Sequence, residues 1–76
     1  MLVKINNRLQ QFPDGLTFRK VQKGLYKASY NGRDYIITGG KAAGGAHNEW
    51  FLDTPDGGKP YYTTGLVDSL RLIVQM

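Results

Sequence analysis

The run FRKVQKGLYKASYNGRDY, residues 18 to 35, interleaves Arg19, Lys20, Lys23, Lys27 and Arg33 with Phe18, Tyr26, Tyr30 and Tyr35. Cationic side chains neutralise phosphates and aromatic rings offer faces on which bases stack, so this composition suits a partner made of both. The same residues also have a purely structural use, with tyrosines filling a small core and lysines keeping it in solution. The expected nucleic-acid contacts are Arg19, Lys20, Lys23, Lys27, Arg33 and the later Lys41, with Tyr30 beside Arg33 at a hairpin tip as the ring free to stack.

Other chemistry finds fewer residues. His47 is the only histidine, and Ser29 and Ser69 are the only serines, so a nucleophile, base and orienting group have little to be built from. No catalytic residues are expected. His47, Glu49, Asp53 and Asp56 could face a cation, yet their spacing fits neither a zinc pattern nor a calcium loop, and they read as solvated polar positions. No metal or cofactor is implied. The stretch TGGKAAGGAHNEW, residues 38 to 50, has glycines and a lysine, but a phosphate-cradling P-loop needs its lysine after the last glycine, then Ser or Thr, then a helix. Residues 39–48 therefore read as a mobile connection between strands, or as a contact to a partner through Lys41 and His47. At Thr63-Thr64-Gly65 a helix start could attract an anion, although Asp68 one turn on opposes it and capping by Thr64 accounts for the same residues.

The elements that must position these side chains are marked by turns. Asn31-Gly32 separates two runs rich in aromatic and β-branched residues and predicts a hairpin of 25–30 and 33–38. A two-residue turn sets the register: Tyr30 faces Arg33, Ala28 faces Tyr35 and Tyr26 faces Ile37 on one side, which is the expected core side. Ser29 with Asp34, Lys27 with Ile36 and Leu25 with Thr38 make the other, half-wet side. EWFLDTPDGGKPYYTT predicts a second hairpin of about 49–54 and 60–63, with Trp50 and Leu52 on one face and Pro60 at a strand start. After it, Leu66, Val67, Leu70, Ile73 and Val74 recur at helical spacing while Asp68, Ser69, Arg71 and Gln75 fall elsewhere. The segments 2–12 and 17–23 admit helical readings, but Asn6-Asn7 and Pro13-Asp14-Gly15 favour strands joined by turns.

The chain has 76 residues, no cysteine, 41% hydrophobic residues and a net charge of +4, values of a single folded domain (1–76) with a thin core rather than of a disordered chain. Residues 1–41 carry eight cations against two acids, and residues 42–76 carry two against four, so the basic excess lies in the first half. MLVKINNRLQ turns polar too early for a signal peptide or a membrane span, and cysteine-free composition suits a cytoplasmic location. No membrane partner is expected.

Trp50, the DGGK of residues 56–59 and YYTTGLVDSL of residues 61–70 follow one another as aromatic strand, turn, aromatic-Thr pair and helix. In outline this resembles the small DNA-binding domains of the AP2 and phage-integrase amino-terminal type, in which residues of a three-stranded sheet enter the major groove. The strand with Trp50 carries Glu49 and Asp53 instead of a row of arginines. The expected fold is α+β: an N-terminal hairpin, an antiparallel meander and one C-terminal helix on one face, with Ile5, Leu25, Tyr35, Ile37, Trp50, Leu52, Leu66, Leu70 and Ile73 in the core. The expected function is a small non-enzymatic basic module that binds DNA or RNA, as a monomer or homodimer. The alternative is a small phage or mobile-element type of protein that binds and modulates a host protein.

Overall fold

Hairpins dominate the chain because its turns are short and their residues accept positive φ. The computed structural model describes residues 1–40 and 49–76. Lys41, His47 and most of the glycine-rich connection lie outside the described residues. Strands β1 (Leu2–Ile5) and β2 (Arg8–Gln11) form a two-stranded antiparallel sheet. Asn6 and Asn7 turn between them with φ of 53° and 64°, and asparagine tolerates this left-handed region better than other side chains.

A second, five-stranded sheet is a plain meander of β3 (Thr17–Gln22), β4 (Leu25–Tyr30), β5 (Arg33–Gly39), β6 (Trp50–Asp53) and β7 (Tyr61–Thr63), in that order. Both ambiguous N-terminal segments are thus strands. At the β4–β5 turn Asn31 and Gly32 have φ of 53° and 75°, and the pairing is the predicted one throughout, from Tyr30↔Arg33 to Leu25↔Thr38. β6 is one residue shorter than predicted at each end, and β7 starts one residue later but ends at residue 63 as predicted, so Pro60 stands just outside it.

The sheet has one covered and one open face. Ala28, Tyr35, Ile37 and Leu52 point inward and are buried with Leu66, Leu70 and Ile73 of helix α1 (Leu66–Gln75) and with Ile5, Phe12 and Leu16 of the N-terminal segment. Leu66, Ser69, Leu70 and Ile73 form the buried stripe of α1, at spacings of three and four residues. Arg71 ties the N-terminal hairpin to the helix: its Nη2 donates to Gln10 Oε1 at 2.8 Å, and its guanidinium lies 5.2 Å from the centroid of the Phe12 ring.

Several expectations are corrected. Leu25 is not core: its partner Thr38 places it on the open face, as register requires, and its apolar type does not override that. Trp50 is half-buried against the core, not within it, and the buried Phe12 and Leu16 take up core volume beyond the predicted set, while Ala28 is buried on the expected core side. Ser69 is fully buried where a polar helix face was expected. Its hydroxyl is satisfied there, donating to the Gly65 carbonyl at 2.9 Å and lying 2.7 Å from the Thr63 hydroxyl. The helix cap is Gly65, not Thr64. Thr64 precedes the cap and donates its N–H and hydroxyl to the Asp68 carboxylate at 3.2 and 3.3 Å, so Asp68 holds the helix entry from inside the first turn.

Strands β5, β6 and β7 followed by α1 give the expected order of antiparallel strands and C-terminal helix, with β3 and β4 extending the sheet. Among the described residues no helix is long and apolar enough to cross a membrane.

Candidate functional site

The open face is built by alternation. Residues whose neighbours point into the core must point out, so the pairing Arg19↔Lys27, Lys27↔Ile36 and Ile36↔Asp53 lays these four side chains in one row across β3, β4, β5 and β6. Thr17, Ser29 and Asp34 form the next row toward one end of the sheet. Leu25, Thr38, Phe51 and Tyr62 form the row toward the other. No described element covers this face, and Ile36 and Tyr62 are 41% and 62% exposed.

Arg19, Lys27, Ser29, Asp34, Ile36 and Asp53 are among the residues that line an open cleft of about 610 Å³ on this face. Two cations stand on its β3–β4 side and two carboxylates on its β5–β6 side. Among the described residues the one ion pair joins the Met1 amino group to Asp14 at 3.3 Å, so the four charges of the cleft are not used up on one another. Phe51 and Tyr62 sit edge to face with ring centroids 5.4 Å apart, a geometry that holds two aromatic surfaces at the solvent boundary.

The predicted contacts divide between places. Arg19 and Lys27 are brought together as cross-strand partners. Lys20 pairs with Tyr26 and points to the opposite side, though it stays exposed at the edge of the sheet. A register shift between Lys20 and Gln22 bulges Val21 out of the ladder, and Lys23 follows in the β3–β4 turn beside Gly24. All four cations therefore lie along the β3–β4 margin, on two faces of it. Tyr30 and Arg33 are partners at the β4–β5 tip, but Tyr30 packs on the core and its ring is engaged there. Lys41 lies outside the described residues. Phe51 and Tyr62 are candidate stacking rings beyond the predicted set: alternation with Trp50 and Leu52 turns Phe51 outward, and only the β6–β7 register brings Tyr62 beside it.

At the same end of the sheet as Arg33, the β6–β7 turn is held by Asp56. Its carboxylate accepts from the Thr54 hydroxyl and from the Gly58 N–H at 3.2 Å. The Thr54 hydrogen bond first, then the Gly58 N–H and the nearby Arg33, hold its pKa below the ordinary carboxylate range. A second cleft of about 650 Å³ opens between Lys4 and Ile5 of β1, the rings of Phe18, Tyr26 and Trp50, and the start of α1. No group of three or more potential metal ligands is gathered among the described residues.

Comparison of the chain with protein-family models, with curated proteins and with solved structures returns no match.

Proposed function

We propose that this protein is a nucleic-acid-binding module that takes a single strand across the open face of its five-stranded sheet. The observation that carries the reading is the layout of that face, with Arg19 and Lys27 paired at one margin and Phe51 and Tyr62 paired toward the other. Phosphates run along the β3–β4 margin, reached by Arg19 and Lys27 from above and by Lys20 and Lys23 from the edge and turn. Bases lie over the strands and stack on the aromatic pair, which any base can do because every base has a π face. A sheet face open over four strands leaves bases unpaired and splayed more readily than it enters the groove of a duplex.

The test is binding of purified protein to labelled single-stranded DNA, RNA and duplex DNA over a range of salt. The double substitution Arg19→Glu and Lys27→Glu should weaken single-strand binding and flatten the log–log salt dependence by about 0.7 for each phosphate that is no longer neutralised. An unchanged affinity and slope would overturn the reading.

A second reading is favoured by one feature of the same face: Arg19 and Lys27 are balanced by Asp34 and Asp53 around the exposed Ile36. Such a mixed surface with an apolar centre suits a protein partner. Under that reading the double charge reversal reduces capture of a partner protein and leaves nucleic acid irrelevant.

A further inference from the structure

The carboxylates of the cleft are the residues that a phosphate-binding face accommodates least, and their position gives them a use. Asp53 stands in the same row as the two cations, separated from Lys27 by Ile36. Two strand spacings, about 10 Å, lie between β4 and β6, comparable with the reach from a nucleotide's phosphate to the far edge of its own base. A nucleotide whose phosphate meets Arg19 and Lys27 thus sets its base over the apolar Ile36 side chain and brings its Watson–Crick edge to Asp53. An ionised carboxylate only accepts hydrogen bonds. It is matched by an edge that offers two parallel N–H donors and opposed by one that offers carbonyl oxygens.

Building on the nucleic-acid reading above, we propose that this row is a base-reading subsite for guanine, with Asp53 accepting from guanine N1–H and N2–H. Asp34, which also lines the cleft, adds negative charge on the same side and further disfavours bases rich in carbonyls. Guanine supplies the donor pair, adenine and cytosine each supply one exocyclic amine with a ring acceptor beside it, and thymine or uracil presents one N–H between two carbonyls. The order of preference at this position is therefore guanine first and thymine or uracil last.

The experiment is fluorescence anisotropy with a short labelled oligothymidylate, the same oligomer with one central dG, and the same with inosine there, which keeps N1–H and lacks the 2-amino group. One dG should raise affinity on the order of tenfold over the all-thymidine strand, as a good two-bond base contact does, and inosine should lose most of that gain. Asp53→Asn, at an exposed position, should bring the ratio of the dG to the all-thymidine affinity close to one. Equal affinities of the wild-type protein for the dG and all-thymidine strands, or a ratio that survives Asp53→Asn, overturns the guanine subsite while leaving the single-strand reading standing. If neither strand binds at low salt, the single-strand reading falls first and the subsite with it.

Discussion

Ile36 and Ile37 are chain neighbours of one residue type in one strand, yet Ile36 is 41% exposed on the open face and Ile37 is 0% exposed under the helix. The two faces they represent are made from the same alternation and serve different ends. Inside, apolar side chains from both sheets and from α1 interlock, and among the described residues every buried side-chain polar atom has a hydrogen-bond partner. Outside, charges of both signs, two aromatic rings and one isoleucine are left without a protein cover among the described residues. A thin domain that leaves half of its sheet surface open in this way keeps few apolar side chains for stability, and the open face is the one on which the proposed strand would lie.

The largest contrast comes from truncating the two isoleucines in turn. Ile37→Ala should cost about 2–5 kcal/mol, the range for a fully buried aliphatic side chain, whereas Ile36→Ala should stay within about 1 kcal/mol. Urea unfolding of both variants checks this, and similar costs would erase the distinction between the faces. Gly39→Ala comes next. A Cβ there would stand 2.1 Å from the Trp50 ring, so the indole must leave the backbone it covers, at about 1–3 kcal/mol. The emission of Trp50, the single tryptophan, should shift as its packing against Tyr26 is disturbed. Removing a buried hydroxyl by Ser69→Ala should cost about 1–2 kcal/mol, because Thr63 then has no partner inside the core. Thermal unfolding measures it, and a neutral result would mean that the Thr63 hydroxyl finds another acceptor.

The core face was legible because Asn31-Gly32 fixes a register, and once one pair is set every other pair across β4 and β5 follows. Phe12 and Leu16 escaped because they flank the Pro13-Asp14-Gly15 turn outside any strand, where no periodicity betrays which way a side chain points. At Leu25 residue type and register point to opposite faces, and the register decides. The site was less legible than the fold. Arg19 and Lys20 are adjacent, and the cations of β3 divide between faces by pairing with β4, which a sum of charges does not encode. Phe51 and Tyr62 needed the β6–β7 register, which the seven residues between those strands left open in the sequence.

The smallest effect belongs to the β6–β7 turn. Because the Asp56 pKa is lowered on folding, its hydrogen bonds favour the folded chain above the ordinary carboxylate pKa, and this contribution is lost as pH falls through the lowered value. Asp56→Asn should therefore reduce stability slightly near neutrality and make it less sensitive to acid. Unfolding midpoints compared at neutral pH and in strong acid test this, and parallel pH profiles for the two proteins would refute it.

Each strand of the large sheet pairs only with the strands before and after it in the chain. In kinetic terms the first steps are small: β4 and β5 can close across a two-residue turn in microseconds, β3 adds across two more residues, and β6 and β7 follow across ten and seven residues. The exception is the join between Gln10 and Arg71, 61 residues apart. The N-terminal hairpin should consequently dock after the meander has formed, so that Arg71→Ala speeds unfolding in stopped-flow measurements while leaving the folding rate almost untouched.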